Sequence, residues 1–145
     1  MDLLEYFNGS PFRRLVGVEI TEIDDGYAEG RLPLETRHSS NRRELIAQGG
    51  VAYTLADSVG GAAAVSLVGR PTPTIDFRID YLHPGTENLE ATGEVVRIGD
   101  ETAAVDVDVT DASGRDVAAG RGVYKTGELS ADAPWDLDHE SEDGE

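Results

Sequence analysis

The chain has 145 residues, 29 of them acidic and 12 basic, a formal net charge of -17 and no cysteine. That length suits one domain with a real core, and the missing cysteines exclude disulfides, thiolate metal sites and cysteine nucleophiles. The charge makes nucleic acid and anionic membrane poor partners, because repulsion replaces counterion release.

The chain opens Met1-Asp2-Leu3-Leu4-Glu5, with neither a basic nor an apolar leader region, so a cytoplasmic location is expected. Leu3 to Leu15 reads as one or two short helices interrupted by Pro11. Val18 to Ile23 alternates with period two, Asp24-Asp25-Gly26 turns the chain, and Ala28, Gly30, Leu32 and Leu34 continue as the second strand of a hairpin. A polar loop runs from Glu35 to about Glu44.

A long apolar helix follows, from about Gly49 to Leu67. It carries Asp57, adjacent glycines and mostly alanine-sized side chains, so it is expected to be buried in protein rather than in lipid. Four strands come next. Ile75, Phe77, Ile79 and Tyr81 alternate with polar residues, then Leu89, Ala91, Gly93 and Val95, then Ala103, Val105, Val107 and Val109, and the last strand runs from Val117 to Tyr124, with turns at Gly99-Asp100 and Asp111 to Gly114. Alternation with one polar face indicates an antiparallel sheet solvated on one side. Six strands then have one helix to cover them. The expected class is α+β, a long central helix wrapped by a six-stranded antiparallel sheet. Each glycine inside that helix costs roughly 1 kcal/mol against alanine, so packing or function must offset it.

From Gly127 to Glu145 there are eight acidic residues and no lysine or arginine. Such a segment buries too little apolar surface to offset its ordering entropy. The expected organisation is therefore a domain over 1–126 and a disordered acidic tail over 127–145, which leaves the domain at -17 minus -8, or -9.

Asp57 is the only ionisable side chain, tyrosine apart, between Glu44 and Arg70. A carboxylate in an apolar helix is costly unless it is paired, hydrogen-bonded or used. A structural carboxylate satisfied by a backbone N–H or an arginine is one reading, and a reacting group is the other. Gly50, Tyr53 or Thr54, Asp57, and Gly60 or Gly61 share one helical stripe. Gln48-Gly49-Gly50 opens the helix, where unpaired N–H groups and the positive dipole end favour a negative oxygen. An oxyanion hole has the same requirement.

The stretch from Gln48 to Ser58 resembles the phenylacetic-acid-type (PaaI-like) hotdog thioesterases. Their signature is histidine-glycine-glycine, then a helix with an aspartate or glutamate nine positions after the histidine, and Asp57 stands nine positions after Gln48. Thr74 to Gly85 is similar to the family's strand ending in a leucine-x-proline turn, here Leu82-His83-Pro84, and Arg97-Ile98-Gly99 and the turn from Asp111 also fit. The resemblance spans about Val16 to Lys125. It implies a hotdog fold that hydrolyses an acyl-CoA thioester, with Asp57 as general base on water or as nucleophile. It assigns the oxyanion to the backbone N–H of Gly49 and of Gly50, a donor typically worth about 3 kcal/mol. It also implies that Thr74 holds the attacking water and that Asn41, one residue out of step, matches the family's asparagine. No metal is implied, and no cofactor beyond the CoA of the substrate.

Gly49 and Asp57 are eight residues apart on one helix, hence about 12 Å, and one carbonyl needs both within about 3 Å. If both act, a site combines two subunits, and a homodimer or homotetramer is expected. Gln48 replaces the family's histidine and can donate a hydrogen bond without shuttling protons. Arg97, His83, Arg121 and Lys125 are the candidates for the CoA phosphates. A binding protein for acyl-CoA without turnover is the alternative function, and a hydratase is disfavoured because no histidine stands near the helix. His38, His83 and His139 show no metal-ligand spacing, and Asp106, Asp108 and Asp111 are read as the solvated face of a strand. Dispersed acid with Lys125 as the only lysine resembles proteins of salt-loving archaea, where at about 1 M salt charges are screened within about 3 Å.

Overall fold

A computed structural model describes residues 2–135. Asp2 caps the short helix α1 (Leu3–Asn8) by accepting from the N–H groups of Leu4 and Glu5, and Ser10 caps α2 (Pro11–Val16). Pro11 sits in the first turn of α2, where its missing N–H has no helical partner to lose. Strands β1 (Glu19–Asp24) and β2 (Tyr27–Leu32) pair across a two-residue turn. Both turn residues, Asp25 at φ 44° and Gly26 at φ 81°, take the left-handed region that matches the twist of a tight hairpin. A 3-10 turn at Thr36–His38 buries His38, whose Nδ1 accepts the Glu35 N–H at 2.9 Å, so its Nε2–H is the donor to the Val16 carbonyl.

Helix α3 (Gly49–Val68) is the long central element, and β3 (Thr74–Tyr81), β4 (Leu89–Ile98), β5 (Thr102–Asp111) and β6 (Asp116–Lys125) complete an antiparallel sheet of order β1-β2-β4-β5-β6-β3. This is the expected helix-and-sheet arrangement. By length and apolarity alone α3 could cross a membrane; here it packs against all six strands. Leu55 and Val59 are fully buried against inward-facing Ile20, Leu32, Leu89, Val105 and Val107, each such side chain contributing roughly 1.5–3 kcal/mol. The approach is close because Gly30 and Gly93 lie under Val59. A Cβ at either would stand 2.7 or 3.1 Å from its methyls. On the other face Asp106 and Arg121, directly opposed on β5 and β6, form a two-pronged ion pair at 2.6 and 3.1 Å.

Asp111 departs from the expected solvated position: it is only 4% exposed. It shares the inward parity of Val105, Val107 and Val109 along β5, and at the β5–β6 turn its Oδ1 accepts from Ser113 N–H, Ser113 Oγ and Arg115 N–H at 2.6–3.0 Å. The Ser113 hydroxyl, followed by the two backbone donors, holds its carboxyl below the ordinary aspartate range. A depressed folded-state value means stability that is present above about pH 3.9 and lost as pH falls through the folded value. Asp111→Ala is therefore expected to melt earlier than wild type at pH 7, with the gap closing towards pH 2. Thermal melts across that range check it, and a gap independent of pH would contradict it.

Beyond β6, Thr126 and Gly127 donate to the Glu101 carbonyl at 2.9 and 3.3 Å, and Gly127 and Ala133 are buried. The remainder of the segment expected to be a disordered tail, residues 136–145, lies outside the described residues.

Candidate functional site

Asp57 lies eight residues into α3, half-buried between Ala56 and Ser58. One rung of the sheet supplies its partners. Thr74 opens β3 and stands opposite Tyr124 on β6. Thr74 Oγ1 donates to Asp57 Oδ1 at 2.9 Å, and the Tyr124 hydroxyl is shared between the same Oδ1 at 3.0 Å and the Asp57 carbonyl at 3.1 Å. Asp57 Oδ2 has no hydrogen-bond partner among the described residues. The alternative of a carboxylate neutralised by an arginine is not what the geometry holds: none of the ion pairs among the described residues includes Asp57.

Tyr124 is completely buried, and burial first, then the charge of Asp57, pushes its phenol far above the ordinary tyrosine range. Its ring occupies space that two glycines leave open. A Cβ at Gly60 would meet the hydroxyl well inside contact distance and the Cζ at 3.0 Å, and one at Gly122 would stand 2.6 Å from the hydroxyl. In an exposed helix Gly→Ala stabilises by about 1 kcal/mol. Here Gly60→Ala is expected to destabilise by about 1–3 kcal/mol, because the ring has nowhere to go; urea unfolding at neutral pH measures it, and a stabilised variant would refute the packing argument.

Arg13 of α2 reaches the same side of α3. Its Nε donates to Ser58 Oγ at 3.0 Å, and its guanidinium lies 4.7 Å from the centre of the Phe7 ring. Desolvation lowers its pKa, with Tyr6 and Asp57 acting in the opposite direction. Tyr6, Phe7, Arg13, Asp57, Gly61, Thr72, Thr74 and Trp135 line a cleft of about 150 Å³.

A second cleft, of about 380 Å³, lies at the start of α3, lined by Ile46, Ala47, Gly49, Ala52, Tyr81 and the turn through His83 to Gly85. Gln48 is the N-cap residue, and its Oε1 accepts the Gly50 N–H at 2.6 Å. Gly50 is thus corrected as an oxyanion donor, since its hydrogen already has an acceptor. The Gly49 N–H has no partner among the described residues, while the Gly49 carbonyl accepts from the Tyr81 hydroxyl at 2.7 Å. Asp57 and Gly49 line different clefts, as their eight-residue separation requires.

Residues 46–118 match the sequence signature of the thioesterase superfamily. The chain belongs to that superfamily. A candidate esterase of Halobacterium salinarum is 32% identical over 123 residues, covering 76% of this chain and 80% of that protein. The medium/long-chain acyl-CoA thioesterase YigI of Escherichia coli is 26% identical over 133 residues, 81% and 86% of the two chains. A crystal structure of a Shewanella oneidensis protein related to the thioesterase superfamily superposes with a TM-score of 0.78 at 30% identity, covering 86% of this chain and 93% of that one. The fold is the superfamily's hotdog, its six strands wrapped around α3.

The other candidates are dispersed over this hotdog domain. Asn41 is engaged in its own exposed loop, where Oδ1 accepts the Arg43 N–H at 2.8 Å. Arg121 is held by Asp106 on the outer face of the sheet. Arg97 is exposed beside the β4 irregularity, and Lys125 ends β6, its N–H bonded to the Pro73 carbonyl. His83 lines the cleft at the helix start, with Nδ1 2.7 Å from the Asp116 carbonyl. Thr74 touches Asp57 directly, so the part it plays in this structure is that of a donor to the carboxylate. Sequence reasoning missed Tyr124, Arg13 and Tyr81. The signal for Tyr124 was present: it shares strand parity with Gly120 and Gly122, two residues without side chains next to a large ring.

Proposed function

We propose that this superfamily member hydrolyses an aryl- or medium-chain acyl-CoA thioester to the free acid and CoA. The observation that carries the reading is a carboxylate in an apolar helix with one oxygen doubly anchored and the other without a partner among the described residues, in a residue that lines a cleft. Asp57 Oδ2 accepts a proton from water as the water oxygen adds to the thioester carbon, or adds to that carbon itself. The oxyanion forms against the free N–H of Gly49 at the positive end of α3. By the first route the carbon–sulfur bond then breaks and the sulfur of CoA leaves with the proton that Asp57 took; by the second CoA leaves as the thiolate, and water hydrolyses the acyl anhydride on Asp57, releasing the acid, restoring the carboxylate and giving its proton to the thiolate.

Since Gly49 and Asp57 lie about 12 Å apart in one chain, a site takes Gly49 from one subunit and Asp57 from its neighbour, in a homodimer or homotetramer. Exposed apolar side chains on the edge strand β3 support this: Ile75 is 58% exposed and Tyr81 53%. The cleft beside Asp57, about 150 Å³, has the volume that accepts a benzene-sized group in an engineered cavity, which favours compact acyl groups. Among the cation candidates, His83 is the one beside the helix start, within reach of the CoA moiety. Acid on the solvated strand faces with a single lysine supports work in a concentrated-salt cytoplasm.

The test is release of free CoA from phenylacetyl, hydroxybenzoyl and hexanoyl thioesters in molar salt, read against protein concentration. Turnover that falls as the subunits dissociate is expected. A folded, oligomeric protein that binds these thioesters without turnover would make it an acyl-CoA binding protein, with Gln48 in the histidine position as the cause.

A further inference from the structure

The hydrolytic role proposed above uses one oxygen of Asp57. The other is held by a fully buried phenol for which that role makes no provision. We propose that Tyr124 is a positioning residue of the reaction: its hydroxyl locks Oδ1 of Asp57, so that Oδ2 alone meets the thioester. The inference rests on the thioesterase reading and deepens it.

Three observations carry it. The carboxylate has two donors, but Thr74 is exposed and its hydroxyl can exchange Asp57 for water, whereas the Tyr124 ring is completely enclosed. The enclosure is specific to this ring, because Gly60 on α3 and Gly122 on β6 each lack the one carbon that would collide with it. Gly60 lies one turn beyond Asp57, so the gap that admits the ring also directs its oxygen at that carboxylate. Finally, the same hydroxyl reaches the Asp57 backbone carbonyl at 3.1 Å. That second contact ties the side chain to its own helix turn and restricts rotation about the Cα–Cβ bond. Reacting groups need placement within about 0.5 Å, and burial, followed by the charge of Asp57, pushes the phenol up and so favours its protonated, donating form.

A hydroxyl on which the reaction does not depend would leave kcat, KM and the pH profile of CoA release unchanged when it is removed. The experiment is the pH dependence of CoA release by the intact oligomer, for wild type, Tyr124→Phe and Asp57→Asn. Removing a donor to the charged form favours the neutral acid, so the base deprotonates only at higher pH. For Tyr124→Phe, kcat should fall about 10- to 100-fold with KM within about threefold, and the acidic limb should move up by about one pH unit. Should the phenylalanine variant fail to fold, a fluorotyrosine incorporated at position 124 keeps the shape and is a stronger donor, and the limb should then move down. Asp57→Asn separates the two claims. If it turns over as wild type does, Asp57 is not the reacting group and the role of Tyr124 falls with it; if the wild type itself releases no CoA, the thioesterase reading falls. If Asp57→Asn is inert while Tyr124→Phe keeps the wild-type kcat and acidic limb, or the fluorotyrosine leaves the limb in place, only the role of Tyr124 is overturned.

Discussion

Asp57→Asn is expected to lower CoA release at least about a thousandfold while the protein stays folded and binds CoA as wild type does. Asparagine is nearly isosteric, and its carbonyl oxygen can still accept from Thr74 and Tyr124, which both address Oδ1. The hydrogen bonds that hold the α3 turn to β3 and β6 therefore survive. What is lost is at the other position: an amide nitrogen replaces Oδ2, and it can neither take a proton from water nor attack a carbonyl carbon. Rate assays paired with calorimetric titration of CoA separate chemistry from binding. Unchanged turnover would remove Asp57 from the chemistry, and a wild type that binds but does not turn over would establish the binding protein.

Gly49→Pro is expected to cost about 100- to 1000-fold in kcat, the usual consequence of deleting one oxyanion donor. Proline is well tolerated at the first position of a helix, where its nitrogen has no helical partner. Gln48 already has the extended backbone, φ -63° and ψ 141°, that a residue before proline prefers. The added ring meets the Tyr81 hydroxyl at about the 3.2 Å where a Cβ would stand, a contact that the end of a side chain can relieve. The variant should therefore melt like wild type and lack only the N–H. Mixing it with Asp57→Asn tests the composite site. In a hybrid dimer one site keeps both Gly49 and Asp57 and the other loses both, so two nearly inert proteins should regain about a quarter of wild-type activity when random exchange makes half the dimers hybrid. No recovery after confirmed exchange would place both groups in one subunit's site.

The elements of this hotdog domain were legible because local patterns determine them. Period-two alternation marks each strand, Asp25-Gly26 permits the left-handed turn between β1 and β2, and a long run of small apolar residues marks the helix that the sheet must cover. Asp57 was legible for an energetic reason, since an isolated carboxylate in such a helix demands an explanation. Asp111 was misread by grouping it with Asp106 and Asp108: the period of two along β5 puts it in phase with buried Val105, Val107 and Val109, and the donors of the turn satisfy the carboxylate there.

By itself, then, the amino-acid sequence determined the order of elements, the burial of α3 and the singular carboxylate on it, all of which follow from residue type and spacing along the chain. Only the tertiary structure decided which groups serve that carboxylate. Thr74 and Tyr124 are 17 and 67 residues from Asp57 and meet it through the β3–β6 register, Arg13 arrives from a separate helix, and Gln48 turns its amide oxygen onto Gly50. Hydrogen bonds act over about 3 Å, and contacts that short between residues distant in sequence are set by how strands pair and glycines let a ring approach, which no local period encodes.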